Sequence, residues 1–199
     1  MKRLEQLKRN LRPGNVYRRS DLEKWSKSVD RHARELVEEG VLTKLQNGLY
    51  YCPKKSVFGD VPPKDAWLVR AFLKDDNFLL TSPNAYNALG LGTTQLYNTM
   101  TVYNQKRHGQ FKLGNKTYDF QRKYNFPKKL SSEFLLVDLM NNLKALAEDH
   151  EQIKTRVKSR ALNMDRKKLL SDAEKYGKVS TKKFFSSLFR NETTLTNVA

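Results

Sequence analysis

Cysteine and histidine, the residues that build disulfides and zinc sites, are almost absent from this sequence. Cys52 is the single cysteine in 199 residues, and three histidines, His32, His108 and His150, are scattered along the chain. One cysteine excludes an intramolecular disulfide, and these residues cannot build a Cys/His zinc site. We therefore expect no bound metal, and we interpret His32, which lies beside an apolar stripe, as a partly buried core histidine.

Long apolar runs are also missing. Stretches such as Phe134-Leu135-Leu136-Val137 are among the longest, far short of the ~20 residues that a membrane-spanning helix needs. The charged residues 1–6 are followed by no apolar segment of the kind that secretory signals contain. We expect a soluble, cytoplasmic protein with no membrane partner.

Motifs of nucleotide binding and catalysis are scarce. No G-x-x-x-x-G-K-[ST] loop is present, and Gly90-Leu91-Gly92 lacks the third glycine of a dinucleotide-binding loop. A metal-dependent nuclease needs several convergent carboxylates, and the basic segments contain few. The sequence therefore predicts no cofactor, no catalytic residues and no enzymatic activity, with a nucleic-acid-processing enzyme kept as the least favoured alternative.

Acidic residues are outnumbered by basic ones. The chain has 38 Lys and Arg against 21 Asp and Glu, a formal net charge of +17. The excess lies in three blocks, residues 1–63 (+6), 106–129 (+7) and 151–190 (+8). A field of this size attracts polyanions. Among polyanions, nucleic acid is the partner that we expect; an anionic protein surface ranks second, and an anionic membrane, which we do not expect, ranks third.

The N-terminal segment begins with two helical patterns. Leu4, Leu7 and Leu11 share one face of a first helix. Ser20 with Glu23 three residues later predicts a capping box that starts a second, short helix.

A third helix is predicted from a Ser28 cap to a stop at Gly40. Four apolar residues at helical spacing form its inner face, namely Val29, Ala33, Leu36 and Val37. Residues 41–46 then alternate, Asn47-Gly48 suits a type I′ turn, and residues 49–52 return as a second strand. Three helices followed by a hairpin are the order of a winged helix-turn-helix. We assign it to residues 1–63, ended by a linker at Val61-Pro62-Pro63.

Residues 64–199 read as a second, mixed domain with a small antiparallel sheet and C-terminal helices. Its first helix, 65–73, is predicted to turn four residues inward: Trp67, Leu68, Ala71 and Phe72. Shorter patterns follow: a short helix at 84–89, strands at 99–103, 110–113 and 117–122, an apolar core helix after Ser132, and three final helices. The overall class is therefore α+β. Tyr118 and Phe120 fit either a base-stacking surface or an inward strand face, and we favour the inward face.

Candidate DNA-contacting residues follow from the winged helix-turn-helix prediction. In such a fold the second helix of the pair enters the major groove, and the hairpin contacts the neighbouring backbone or minor groove. Arginine on the exposed helix face can bind guanine or phosphate through two donors. The candidates are Lys27, Ser28, Arg31 and Arg34 on the helix, Lys44, Gln46 and Asn47 on the hairpin, and Arg18 and Arg19 for phosphate.

Three segments resemble the AbiEi family of antitoxins from bacterial abortive-infection (phage defence) systems. They are GVLTKLQNGLYY (40–51), TSPNAYNALGLGTTQ (81–95) and FKLGNKTYDF (111–120). They are similar to the family's winged hairpin, its Leu-Gly-Leu-x-Thr turn and its strand hairpin, in the same order. The similarity spans roughly residues 5–190.

This resemblance implies the antitoxin of a type IV toxin-antitoxin system. The N-terminal domain would bind inverted repeats of its own promoter through Arg31, Arg34 and the Lys44–Asn47 hairpin, and repress the operon. The C-terminal domain would counteract a nucleotidyltransferase-like toxin without needing a stable complex. The residues themselves leave one further alternative open, a stand-alone winged-helix regulator whose second domain senses a ligand.

Overall fold

The computed structural model describes residues 2–91, 93 and 96–196, and the fold is α+β, as the sequence predicts. The helices are α1 (Lys2–Asn10), α2 (Arg19–Leu22), α3 (Val29–Glu38), α4 (Asp65–Leu73), α5 (Ser132–Asn142), α6 (His150–Leu162), α7 (Arg166–Tyr176) and α8 (Val179–Thr196), with 3-10 turns at Pro83–Leu89 and Leu143–Ala145. The strands are β1 (Val16–Arg18), β2 (Thr43–Gln46), β3 (Leu49–Tyr51), β4 (Lys54–Ser56), β5 (Gly59–Val61), β6 (Phe78–Thr81), β7 (Thr99–Asn104), β8 (Gly109–Leu113) and β9 (Lys116–Arg122).

The chain folds into two compact units. The first unit contains Met1–Phe78 and Lys106–Phe120, and the second contains Leu79–Gln105 and Gln121–Ala199. This division does not coincide with the boundary at residue 63, because α4, β8 and most of β9 group with the N-terminal segment. The assignment of domains to 1–63 and 64–199 therefore stays a prediction.

The N-terminal part of the first unit packs three helices beside a three-stranded antiparallel sheet in the order β1-β3-β2. The predicted inner face of α3 is confirmed, since Val29, Ala33 and Leu36 are buried and Val37 packs against the same cluster. Other members of this core come from α1, α2 and the segment before β2: Leu7, Leu22 and Leu42.

The predicted capping box at Ser20 is wrong. Strand β1 continues to Arg18, so the chain enters α2 at Arg19, one residue before Ser20. The backbone amide of Arg18 donates to the Asp21 carboxylate at 2.9 Å. Asp21 therefore has the role in the capping box that the sequence predicts for Glu23. The pairing of β1 with β3 fixes where the helix starts.

The β2–β3 hairpin is present, but its turn is not type I′. That type needs positive φ at both central residues. Gly48 has φ +71°, whereas Lys74 is the only non-glycine residue with positive φ in the described part of the chain, so Asn47 is not left-handed. A register shift between Lys44 and Gln46 places Leu45 in a bulge.

A second hairpin, β4–β5, lies between the predicted strand 49–52 and the predicted linker at 61–63, where the sequence predicts no element. Lys54, Lys55 and Ser56 pair with Val61, Asp60 and Gly59 respectively. The six strand residues are all exposed. Because no apolar alternation marks an exposed hairpin, the pattern that identifies half-buried strands misses it.

The predicted inner face of helix α4 is confirmed only in part. Leu68 is buried as predicted, together with Val69 and Leu73, whereas the inward orientation predicted for Trp67 is wrong, since its side chain is 41% exposed. The side chain of Phe72 points inward as predicted, and the centroid of its ring lies 5.0 Å from that of Phe120.

The inward face of β9 is confirmed. Tyr118 and Phe120 are fully buried, which excludes a base-stacking role for both side chains.

The second unit is organised around α5, the predicted core helix. Helix α5 packs against the Pro83–Leu89 turn and helices α6, α7 and α8. Its residues Leu136, Val137 and Leu139 are fully buried. In the part of the chain that the structure describes, no helix is both long enough and apolar enough to cross a membrane.

Candidate nucleic-acid interface

A buried hydrogen-bond pair fixes the junction between α2 and α3. Ser26 Oγ lies 2.7 Å from His32 Nδ1, and both residues are buried, so the prediction of His32 as a core histidine is confirmed. Ser26 Oγ also accepts the backbone N–H of Ser28 at 3.2 Å. Ser28 occupies the cap position, but its side chain makes no capping bond. The Ser28 amide is therefore already engaged, and Ser26 organises the start of α3.

Helix α3 presents a basic outer face. Lys27, Arg31 and Arg34 are exposed, as is Ser28. Arg31 Nε lies 3.6 Å from Glu35, and its guanidinium approaches His32 Nε2 at 3.3 Å. Among the described side chains, Lys27 and Arg34 have no carboxylate within ion-pair distance. The charge of Arg34 helps to lower the pKa of Asp30, but both side chains are exposed and can contact an external anion.

Arg19 connects three parts of the candidate interface. Its guanidinium holds Asp30, in the first turn of α3, through two contacts of 2.7 Å, and it also pairs with Glu23. Its backbone N–H donates to the carbonyl of Gly48, in the β2–β3 turn, at 2.9 Å. Arg19 therefore brings the starts of α2 and α3 and the hairpin turn together.

The charge of Arg19 is compensated within the fold. Hydrogen bonding to Arg19 holds the pKa of the Asp30 carboxyl below its usual value of 3.8, and the pKa of Arg19 is raised by the same bond. Arg18 is similarly close to Asp21, at 3.3 Å. Both arginines were predicted to contact phosphate; the structure gives them carboxylate partners, and phosphate contact stays a prediction.

The hairpin turn contributes the remaining candidates. Lys44 and Asn47 are exposed and Gln46 is half-buried. In the described chain, Lys44 has no ion-pair partner. Of the nine candidate residues, three are cations that form no ion pair in the part of the chain that the structure describes: Lys27, Arg34 and Lys44.

The first unit as a whole is strongly basic. Its two segments contain 21 Lys and Arg and 12 Asp and Glu, a net charge of +9. Long-range attraction of a polyanion to this unit does not depend on the contacts of a single side chain.

Sequence reasoning missed the tip of the β4–β5 hairpin. Val57 and Phe58 are 93% and 98% exposed. The signal available in the sequence was the run Lys54-Lys55-Ser56 followed by two apolar residues and Gly59, which is compatible with a basic hairpin closed by an apolar turn.

Sequence reasoning also missed a buried polar cluster in the second unit. Asp138 in α5 is fully buried and accepts hydrogen bonds from Tyr86 Oη at 2.8 Å and Tyr103 Oη at 2.7 Å. Lys123 Nζ lies 3.4 Å from the same carboxylate. Burial, with the charge of Asp138 beside the rings, raises the pKa of both tyrosines. Because its groups satisfy one another, the cluster is a structural element of the core.

The described residues contain no group of three or more His, Cys, Asp and Glu side chains that could bind a metal ion.

Comparison with known proteins gives a similarity of fold. No protein-family model matches the sequence, and no curated protein matches it. The fold is similar to that of the RV2827C protein from Mycobacterium tuberculosis, known from a crystal structure, with a TM-score of 0.57. The two sequences are 18% identical, and the match covers 93% of this chain and 74% of that chain. At this level of identity the likeness concerns the fold alone.

Proposed function

We propose that this protein is a DNA-binding antitoxin that represses its own operon. The N-terminal segment would act as a winged helix-turn-helix, with α2 and α3 as the helix pair and β2–β3 as a short wing. The element order α1-β1-α2-α3-β2-β3, with β1 paired to β3, supports this assignment. The observation that carries it is the outer face of α3, where Lys27 and Arg34 are exposed and form no ion pair among the described residues.

In this proposal α3 enters the major groove of an inverted repeat in the promoter. Arg34 and Arg31 lie one turn apart on the helix face directed to the bases, and Lys27 and Lys44 neutralise phosphates. Arg19 acts as a positioning residue, since it joins α3 to the hairpin turn through Asp30 and Gly48.

The second part of the proposal concerns the toxin. The similarity of three sequence segments to the AbiEi antitoxins supports a role for the C-terminal domain, residues 64–199, in counteracting a nucleotidyltransferase-like toxin in the cytoplasm. The protein would do this without a catalytic activity, cofactor or metal of its own, and a stable complex with the toxin is not required.

Binding of the full-length protein to the promoter region directly upstream of its gene tests the repressor role. The expected result is tighter binding to this duplex than to a scrambled duplex of equal length and composition. The logarithm of the affinity should fall by ~0.9 per neutralised phosphate for each unit of log salt concentration. Equal affinity for the two duplexes would contradict repression through this site.

Co-expression with the neighbouring gene tests the antitoxin role. If that gene encodes a nucleotidyltransferase-like toxin, its growth arrest should be relieved by this protein. The variant Arg34→Ala should relieve the arrest equally well when both genes are expressed from a foreign promoter, because neutralisation is assigned to the C-terminal domain, residues 64–199. Persistent arrest with the wild-type protein would reject the antitoxin role and leave DNA binding to be judged separately.

A further inference from the structure

The turn of the β4–β5 hairpin has an unusual composition. Val57 and Phe58 occupy its two central positions, between Ser56 and Gly59, which pair directly. Glycine, asparagine, aspartate and serine normally occupy such positions because they suit the backbone and remain hydrated. Here a β-branched residue and an aromatic residue take their place. They are also the two most exposed large apolar side chains in the described part of the protein.

The hairpin holds this tip in a defined position. Ser56 Oγ donates to the Gly59 carbonyl at 2.8 Å and accepts the Phe58 N–H at 3.3 Å. At the base of the hairpin, Tyr51 Oη donates to the Val61 carbonyl at 2.5 Å. Because Tyr51 belongs to β3, the hairpin is tied to the same sheet that supports the candidate interface. Phe58 is thus presented on an anchored element of the first unit.

The surface around the tip is basic. Lys54 and Lys55 lie on β4, and Asp60 of β5 pairs with Lys55 at 2.7 Å. Lys54 is exposed and has no ion-pair partner within the described chain. An apolar tip whose stem has a lysine without an ion pair among the described residues, in a unit of net charge +9, complements duplex DNA. Phosphates attract the lysine, and the stacked bases offer an apolar surface to the ring.

We propose that the β4–β5 hairpin enters the minor groove of the bound promoter and that Phe58 wedges between two adjacent base pairs. Val57 would pack against the neighbouring sugars, and Lys54 would bind a flanking phosphate. Apolar side chains that partly unstack a base step in this way act from the minor-groove side. The wedge favours a pyrimidine–purine step, which unstacks at the lowest cost. This inference rests on the proposed function and adds a second contact to it.

The test uses the full-length protein and the promoter duplex with 2-aminopurine placed at each adenine in turn. The fluorescence of 2-aminopurine rises when its neighbour is unstacked. Wild-type protein should raise the signal at one step per half-site. Phe58→Ala should abolish that rise and weaken promoter binding about tenfold or more, because a buried phenyl ring is lost. Phe58→Trp should retain both properties.

Tyr124→Ala is the matched control. Tyr124 is also an exposed aromatic residue, at 84%, but it lies outside the first unit. Its removal should leave both the fluorescence and the affinity unchanged. Since Phe58 has almost no contact with the fold, Phe58→Ala should also have the melting temperature of the wild type.

Three outcomes would overturn the wedge. In the first, the wild type binds the promoter specifically and Phe58→Ala binds it equally well; in the second, Phe58→Ala binds more weakly, but the wild type changes the fluorescence at no 2-aminopurine position. In the third, Phe58→Ala dissociates an oligomer that forms without DNA, which would assign the tip to a contact between copies of the chain. In all three cases the proposed function stands; equal binding of wild-type protein to promoter and scrambled duplex rejects that function and the wedge together.

Discussion

At the scale of single residues, Arg34 is the side chain on which the proposed DNA recognition depends most. It is exposed on α3 and, among the described residues, it has no carboxylate within ion-pair distance. Arg34→Ala should reduce the affinity for the promoter by ~1–3 kcal/mol if the guanidinium contacts bases. Binding to scrambled duplex should change much less. Competition binding at fixed salt measures both quantities.

Arg70→Ala serves as the control for Arg34→Ala. Arg70 is an exposed residue of α4 in the same unit, but it forms an ion pair with Asp76. Both substitutions remove one positive charge, so the general electrostatic attraction falls equally. If the two variants lost the same affinity for the promoter and the scrambled duplex, Arg34 would have no role in sequence recognition.

Asp30 gives a prediction for the pH dependence of folding. The hydrogen bond from Arg19 lowers the pKa of Asp30 in the folded protein below 3.8, the value expected for the unfolded chain. The ionised form is therefore favoured by folding. Its contribution to stability is complete above the unfolded pKa and is lost as the pH falls through the lower, folded pKa. Asp30→Asn should abolish this contribution. The melting temperatures of the wild type and of Asp30→Asn should therefore converge as the pH falls.

Thermal denaturation at a series of pH values, followed by circular dichroism, measures this convergence. Glu38→Gln is the control, because Glu38 is an exposed residue of the same helix without an ion pair among those described. A constant difference between wild type and Asp30→Asn at every pH would show that the Arg19–Asp30 pair does not contribute through its charge.

At the scale of elements, the α2–α3 junction depends on Ser26 rather than on the predicted cap Ser28. Ser26→Ala leaves the buried Nδ1 of His32 and the amide of Ser28 without their partner. We expect a loss of about 1–2 kcal/mol in the free energy of unfolding. Ser28→Ala should cost about 0.5 kcal/mol or less, since its exposed side chain makes no capping bond.

Chemical denaturation of the two variants compares these losses. Because the junction sets the start of α3, Ser26→Ala should also weaken promoter binding in parallel with its lower stability. If Ser28→Ala lost as much free energy of unfolding as Ser26→Ala, Ser28 would be the cap of α3, as the sequence predicts.

The elements differ in how far the sequence predicts them. Helix α3 follows from apolar spacing because one face of it is buried, as Val29, Ala33 and Leu36 show. The β4–β5 hairpin has no buried face, so periodicity contains no signal for it. Trp67 was placed inward by spacing alone, but α4 has apolar residues on more than one face, and packing selects Val69 instead.

At the scale of the whole molecule, the Asp138 cluster supports the second unit. Asp138 is fully buried. Its carboxylate accepts hydrogen bonds from the hydroxyls of two tyrosines and forms an ion pair with the Lys123 ammonium group. Asp138→Ala leaves these groups without their acceptor and should cost about 3 kcal/mol. Asp138→Asn should cost less, because the amide oxygen still accepts a hydroxyl hydrogen bond.

Far-UV circular dichroism during denaturation measures this loss, since the second unit contains helices α5 to α8. Glu151→Ala is the control, because it removes an equal charge from an 82% exposed side chain of the same unit. The native fluorescence of Trp25 and Trp67, which both belong to the first unit, reports whether that unit keeps its structure. An unchanged unfolding midpoint in Asp138→Ala would exclude a stabilising role for the cluster.

The sequence by itself determined the net charge of +17, the α+β class and the position of most helices and strands, because these depend on residue counts and on local apolar spacing. Only the tertiary structure decided which charges remain available. Arg19 pairs with Asp30, eleven residues later in the sequence, and Asp138 accepts a hydrogen bond from Tyr86, 52 residues earlier. Such pairs depend on how separate elements pack, which local patterns do not encode. Packing likewise left Arg34 without an ion pair among the described residues and Phe58 exposed on its hairpin.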